Sequence, residues 1–293
     1  MLTVRAYAKI NLTMEVLGRR EDGYHQIASV MQTIDLCDEL RLTPSDQITL
    51  RCDLPSLETD DNLALKAAAL LKEHIGYSGG VEMYLNKAIP LASGLGGGSS
   101  DAAATLKSLS HLWGLGLKHE ELLPLAASLG SDVPFFLDGG TAIAEGRGEE
   151  IHELPPMPAT HLVLLAPPVW FDKLTMSGVG KTATMYGHLN SEHYTGGEAA
   201  LLLQRSLEDG KRPSGKLLFN VFEAVAFDFI PTLEDYRRAM LEAGASWVHL
   251  TGSGPAMYTF AASRRKALGM AEKLRGAGYE AYVAATVEAQ SYP

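Results

Sequence analysis

Apolar and polar positions change rhythm several times along this chain, and each change predicts an element. Residues 2–7 read as a strand, and Ile10, Leu12, Met14 and Val16 then alternate with polar or small residues, as a half-buried strand requires. Further strands are predicted at 34–43 and 47–52. Asp61 or Asn62 caps a helix that Gly76 ends. A strand at 81–85 leads into a glycine-rich segment, after which 101–113 and 118–129 have the spacing of helices with one apolar face. Glycines at 139, 140, 146 and 148 punctuate a strand around 141–144.

Three prolines within four residues, Pro155, Pro156 and Pro158, predict a boundary between units at 1–155 and 160–293. The chain's 293 residues agree with two units, since a single domain is most often ~100–150 residues. The second unit opens with a strand at 161–166, followed by a polar, glycine-containing stretch over 170–197. Helices are predicted at 197–208, 218–229, 231–243 and 263–275, and strands at 247–250, 257–260 and 279–286. Such a mixture predicts an α+β fold, ferredoxin-like in outline in its second half. There is no internal repeat and no low-complexity tract.

Charge narrows the function classes. Lys and Arg total 25 against 35 Asp and Glu, a formal net charge of −10, which argues against nucleic-acid binding because that needs a basic footprint. An anionic small ligand stays compatible, since backbone N–H groups and a few lysines can hold it locally. Cys37 and Cys52 have no metal-like spacing and are expected to be free, buried thiols. The N-terminus lacks the apolar core of a signal peptide and no stretch is long and apolar enough for a membrane span, so a cytoplasmic location is expected.

The strongest chemical signal is Leu91-Ala92-Ser93-Gly94-Leu95-Gly96-Gly97-Gly98-Ser99-Ser100-Asp101, lying between a predicted strand and a predicted helix. Four glycines in five residues are expensive in backbone entropy for a plain connection, but they let consecutive N–H groups turn inward around an anion. The helix that follows adds its positive N-terminal dipole. Ser99 and Ser100 add hydroxyls, one of which could reach a phosphate-bound Mg²⁺. No lysine follows the last glycine, so this is not a Walker A loop, and Ser99 stands where a G-x-G-x-x-G pattern needs its third glycine. A decoy lies at Gly178-Val179-Gly180-Lys181-Thr182, which ends in the letters of a P-loop but has Thr175 where the first glycine should stand.

Several separated segments fit one family. Ala8-Lys9-Ile10-Asn11-Leu12, Asp22-Gly23-Tyr24-His25, the glycine-rich loop, Gly130-Ser131-Asp132-Val133-Pro134, Gly146-Arg147-Gly148-Glu149 and Thr251-Gly252-Ser253-Gly254 resemble the motifs of the GHMP kinases in order and character. The resemblance covers the first half almost continuously and returns at 250–260. It implies a two-domain α+β kinase, with an N-terminal domain like ribosomal protein S5 domain 2 and a ferredoxin-like C-terminal domain, binding ATP between them with Mg²⁺ carried by the nucleotide. The 91–101 loop would hold the ATP phosphates. Asp132 would be the base that takes the acceptor hydroxyl's proton, and Lys9 its partner near the transferred phosphoryl group. Thr251-Gly252-Ser253-Gly254, by its sequence equally a plain hairpin turn, would pack against the phosphate loop.

The resemblance is greatest to the family branch whose acceptor is a cytidyl diphosphate methylerythritol, phosphorylated at its 2-hydroxyl on the way to isoprenoids. It then implies that Asn11 meets the methylerythritol hydroxyls, that Tyr24 stacks on the cytosine and that His25 bonds the cytosine's polar edge. A second aromatic should close that pocket. Here the sequence departs from the family pattern, and Tyr186 is the candidate, with Phe171 as runner-up. Partners are thus a small-molecule substrate, no nucleic acid and no membrane, for a monomer or homodimer. Another GHMP kinase with a different acceptor, or a non-catalytic nucleotide sensor on the same fold, are the alternatives. Tyr24 and His25 speak against the first, Lys9 and Asp132 against the second.

Overall fold

The computed structural model describes residues 1–167 and 178–289. The first half runs β1 (Leu2–Asn11), β2 (Thr13–Arg19), β3 (His25–Ser45), β4 (Ile48–Cys52), α1 (Leu63–Ile75), β5 (Gly80–Asn86), α2 (Gly97–Leu112), α3 (His119–Leu129), α4 (Phe135–Asp138), β6 (Thr141–Glu145) and β7 (Glu150–Glu153). The second half adds β8 (His161–Leu165), α5 (Gly178–Gly187), α6 (Glu198–Glu208), β9 (Phe219–Asn220), α7 (Glu223–Phe229), α8 (Leu233–Ala243), β10 (His249–Leu250), β11 (Met257–Ala261), α9 (Arg264–Gly276) and β12 (Ala281–Ala285).

β3 organises the first sheet. It is 21 residues long and pairs in turn with β2, β6, β1 and β5, all antiparallel, while β4 adds to β5 in parallel. Its length lets one strand carry a hairpin at one end and the helical layer's sheet at the other. β1 reads past its expected end at residue 7, because a register shift between Tyr7 and Ala8 absorbs the break in alternation. Before that bulge only Val4 and Ala6 face inward; after it Ala8, Lys9, Ile10 and Asn11 are all buried. Both faces of the strand are covered there, which is why simple alternation fails, and bulges of this kind re-aim side chains next to functional sites.

The second sheet has the order β10-β11-β8-β12, every neighbour antiparallel. Taken in chain order with its intervening helices, this is the β-α-β-β-α-β arrangement of a ferredoxin-like domain. Helices α1 to α4 cover the outer face of the first sheet with a core that includes Leu71, Leu106, Leu109 and Phe135. Ile10, Leu12, Val30, Leu162, Leu164 and Tyr258 form a second core shared by both sheets. A third, around Met240, Met257 and Leu274, lies under α8 and α9. The α+β expectation therefore holds, with the two sheets meeting at Ile10 and Tyr258.

Three local differences from the sequence reading have physical causes. α2 begins at Gly97 rather than at 101, because Gly96 takes a left-handed φ of 76° and starts the helix directly behind the loop. The helix expected over 218–229 is split: Phe219 and Asn220 pair with the edge of β2, and α7 starts only at Glu223. Part of the polar, glycine-containing stretch over 170–197, to which no element was assigned, is helix α5. Cys37 and Cys52 are free, Cys52 buried and Cys37 half-buried. Among the described residues no helix is long and apolar enough to cross a membrane.

Candidate active site

The glycine-rich loop is held shut by shape. Ala92, at φ 50°, is the one non-glycine with left-handed backbone among the described residues, and Ser93 Oγ donates to the Pro90 carbonyl at 2.7 Å. A Cβ on Gly94 would stand 2.2 Å from the Thr251 carbonyl oxygen, and one on Gly96 would stand 2.6 Å from the Phe136 ring and 3.1 Å from Cγ of Lys9. Gly98 differs, since a Cβ there would meet nothing closer than Leu63 Cδ1 at 3.6 Å. No side chain caps α2. Its first N–H groups, which have no partner inside the helix, are left to a ligand, and the helix dipole favours an anionic one. The cradle therefore fits a polyphosphate.

Not every residue of the loop contributes in the same way. Leu91 is exposed, whereas Leu95 is fully buried in the shared core and its carbonyl accepts from the Lys9 amide at 2.9 Å. Asp101 is buried, and its carboxylate accepts from Lys87 Nζ at 2.7 Å. Lys87 Nζ also donates to Asp38, which in turn accepts from the amides of Ala88 and Ile89 at 2.7 and 2.8 Å. Burial pushes the Asp101 carboxyl up to about 7; Lys87 opposes the rise and Asp38 adds to it. This network anchors the approach to the loop at Lys87, Ala88 and Ile89, and α2 at Asp101, to β3.

Lys9 and Asn11, two residues apart on β1, share a face as the strand period requires. Lys9 Nζ donates to Asn11 Oδ1 at 2.5 Å and stands 3.5 Å from an Asp132 carboxylate oxygen. The pair is asymmetric: the Lys9 side chain is 4% exposed and that of Asp132 39%. Asn11 Nδ2 donates to Ser29 Oγ at 2.8 Å, and the Asn11 amide donates to Thr251 Oγ1 at 3.0 Å. The buried Tyr258 hydroxyl donates to the Asn11 carbonyl at 3.0 Å. Thr251 belongs to the second glycine turn, which sits against the phosphate loop: Ala256 donates from its amide to the Ser93 carbonyl at 3.0 Å. Asn220 holds that turn from behind, its Nδ2 donating to the carbonyls of Leu250 and Gly252.

Within electrostatic reach of Asp132 lies an aromatic cluster. The rings of His25 and Tyr186 stack with centroids 4.9 Å apart and planes 18° from parallel, and Tyr186 meets Phe222 edge-on. Tyr24 is 53% exposed, with the Arg147 guanidinium 4.8 Å over its ring. Tyr24 and His25 thus diverge, one covered by Arg147 and the other by Tyr186. Burial, and then the charge of Arg19, lower the His25 pKa and favour its neutral form. Burial, and then the charge of Asp132, hold the Tyr186 hydroxyl well above its ordinary range. Phe171 lies outside the described residues.

The pattern of the GHMP kinases N terminal domain matches residues 62–140, and that of the GHMP kinases C terminal matches 199–280. A 4-diphosphocytidyl-2-C-methyl-D-erythritol kinase of Dehalococcoides mccartyi is 42% identical over 98% of this chain and 99% of its own length. One of Exiguobacterium sibiricum is 40% identical over 96% of both chains. The crystal structure of a 4-(cytidine 5'-diphospho)-2C-methyl-D-erythritol kinase superposes with a TM-score of 0.80 at 34% identity, covering 97% of this chain and 99% of that one. This chain belongs to the GHMP kinase family, in its 4-diphosphocytidyl-2-C-methyl-D-erythritol kinase branch. It is thus one of the small-molecule kinases, whose co-substrate is ATP.

In this GHMP kinase the two family matches do not contain the whole cluster. The first holds the glycine loop and Asp132 but stops short of Lys9, Asn11, Tyr24 and His25; the second holds the 251–254 turn but neither Lys181 nor Tyr186. Reasoning from the sequence assigned no role to Lys87, Asp38, Asn220 or Tyr258. A lysine just before the loop and a lone aspartate in a strand carry no local pattern; only the long-range pairing of β3 with β5 brings them together. Lys181 was visible as the lysine of a false P-loop and as the first residue of the segment that made Tyr186 a candidate, with no role of its own. It is buried, and its Nζ donates to the Ala92 carbonyl at 2.8 Å and to that of Gly254. Among the described residues no cluster of His, Cys, Asp and Glu is arranged to hold a metal ion.

Proposed function

We propose that this kinase transfers the γ-phosphoryl group of ATP to the 2-hydroxyl of 4-diphosphocytidyl-2-C-methyl-D-erythritol, giving the 2-phosphate and ADP. The observation that carries the reading is the position of the Lys9–Asp132 pair, with the phosphate cradle against Lys9 and the His25–Tyr186 stack within electrostatic reach of Asp132. Phosphoryl transfer asks a protein mainly for positioning and charge stabilisation. The exposed carboxylate of Asp132 takes the proton of the acceptor hydroxyl, whose oxygen bonds to the γ-phosphorus as the bond to the β-phosphate oxygen breaks. Lys9, held by Asn11, faces Asp132 and offsets charge gathering on the transferred group.

The nucleotide's phosphates lie on the 91–101 loop and the first turn of α2, where Mg²⁺ carried by the nucleotide would neutralise part of their charge and a hydroxyl of Ser99 or Ser100 could reach it. Asn11 serves the acceptor hydroxyls, and Tyr24, His25 and Tyr186 serve the cytidyl group. The same reading takes residues 1–155 and 160–293 as the two units and places the enzyme in the cytoplasm as a monomer or homodimer without nucleic-acid or membrane partners. The test is ATP consumption with 4-diphosphocytidyl-2-C-methyl-D-erythritol, mevalonate, homoserine and galactose offered separately. Turnover is expected with the first alone; turnover of another acceptor without the first refutes the assignment.

A further inference from the structure

The lysine of the false P-loop has a place in the site that neither its string nor the family pattern explains. Lys181 lies on α5, is 3% exposed, and reaches two carbonyls that belong to separate loops, Ala92 of the phosphate loop and Gly254 of the second glycine turn. Both residues have left-handed backbone. The loops also touch where the Ala256 amide donates to the Ser93 carbonyl at 3.0 Å, and α5 meets the second turn again where the Thr182 and Ser253 hydroxyls are 3.2 Å apart. Among the described residues Lys181 has no carboxylate partner. The charged group acting on it is Lys9 of β1, of the same sign, and Lys9's own counter-ion is Asp132, in the turn between α3 and α4. Tyr186, on α5 itself, stays a neutral phenol, while the two loops present Ser93, Thr251 and Ser253. A buried amine beside another amine, with carbonyls but no carboxylate, lacks a counter-charge that a polyphosphate would supply.

We propose that Lys181 is a positioning residue of the nucleotide site, a buried amine that ties the phosphate loop to the second glycine turn and takes up a proton as the polyphosphate binds. Burial, and then Lys9, lower its pKa to about 7, so at pH 8 most of the free enzyme carries it uncharged. Phosphate charge nearby favours the cation. Binding should therefore weaken as pH rises above 7, by up to about tenfold per pH unit while the bound amine stays charged. The inference rests on the reading of the 91–101 loop as the ATP site.

Calorimetry tests it with a non-hydrolysable ATP analogue and Mg²⁺ at pH 8, in two buffers of different protonation enthalpy. The wild type is expected to take up close to one proton more per bound nucleotide than Lys181→Arg, because a guanidinium never deprotonates in this range. The Arg variant should bind with affinity nearly flat between pH 7 and 9, and Lys181→Met should show the same lack of uptake with weaker binding. Any uptake by the nucleotide itself is common to all three and cancels. Equal uptake by wild type and the Arg variant, with both binding, overturns the proposal and leaves the ATP site standing. No binding heat in the wild type overturns the ATP site and this proposal together.

Discussion

His25 and Tyr186 lie ring on ring with centroids 4.9 Å apart, although one opens β3 and the other sits in α5. The contact joins the two halves of the chain within electrostatic reach of Asp132. A stacked base is worth ~1–3 kcal/mol by truncation of its aromatic partner. Tyr186→Ala is therefore expected to raise KM for the cytidyl acceptor by roughly ten- to a hundredfold while leaving KM for ATP within about twofold. Steady-state kinetics with each substrate varied in turn decides it, and a parallel rise in both constants would show that Tyr186 supports the fold rather than the pocket.

The neutral state of His25 makes a pH prediction. Burial, then Arg19, lower its pKa, so protonation is delayed to a pH below the ordinary histidine range of about 6.5. If the neutral ring is the form that meets the base, KM for the acceptor stays level from pH 8 to 6.5 and climbs only below that. In His25→Gln, which keeps a donor and an acceptor but cannot titrate, the acid-side climb should vanish. A rise already centred above pH 6.5 in the wild type would contradict the assignment.

Much of the site was legible in the sequence, and the part that was not has a common cause. The glycine loop stands out by its composition, whereas Lys9, Asn11 and Asp132 take their expected roles from the family resemblance of the short strings that hold them. Their convergence is visible in the structure as the Lys9 contacts with Asn11 and Asp132 and the Gly96 approach to the Lys9 stem. The supports were illegible because each is a single ordinary residue whose meaning lies across the sheet: Asp38 in β3, Tyr258 in β11, Asn220 in a two-residue strand. The same holds for the helix that begins at Gly97. Helix propensity argues against three glycines at a helix start, and tertiary fit of the loop against Thr251 and Phe136 outweighs it.

Asp101 links that support to stability. Burial raises its folded pKa from 3.8 to about 7, so between those values the folded chain holds a proton that the unfolded chain releases. Its contribution is fully present below pH 4 and is lost as pH rises towards 7. Asp101→Asn, a permanent mimic of the protonated form, should remove this loss. The stability of the variant relative to wild type should improve from pH 4 to 7, by at most about 1.4 kcal/mol per pH unit, and level off above. Denaturant unfolding at several pH values measures it; a relative stability that declines over that range would mean Asp101 is ionised beside Lys87.

The loop glycines separate folding from binding. Gly94→Ala places a Cβ 2.2 Å from the Thr251 carbonyl at a φ of 89°, so a left-handed penalty of ~1–2 kcal/mol adds to a backbone clash. Thermal unfolding should move down by several degrees. Gly98→Ala meets only Leu63 at 3.6 Å and lies in the first turn of α2, where alanine suits the helix. It should melt at or above the wild-type temperature yet bind nucleotide about tenfold more weakly, because its methyl group occupies space over the uncapped N–H groups. An unchanged nucleotide affinity in Gly98→Ala would move the phosphates away from this turn.

The Lys9–Asp132 pair is the proposed centre of the chemical step, and its asymmetry allows a clean test. Asp132 is open enough to exchange a proton with a substrate, whereas Lys9 is enclosed by Asn11, the glycine loop and the second glycine turn. Asp132→Asn keeps the shape and removes the base, so kcat should fall by about 10²–10⁴-fold, the usual worth of a general base. The nucleotide contacts proposed for the loop and the α2 terminus do not involve this side chain, so the dissociation constant for an ATP analogue should change by less than about twofold. Lys9→Met should behave differently: it removes a buried charge that Asn11 Oδ1 accepts from, leaving that oxygen only the longer bond from the Thr251 hydroxyl at 3.4 Å. Loss of both kcat and thermal stability is expected there, against loss of kcat alone in Asp132→Asn. Should Asp132→Asn retain most of its turnover, the proton acceptor is another group, and Asp132 serves Lys9 rather than the acceptor hydroxyl.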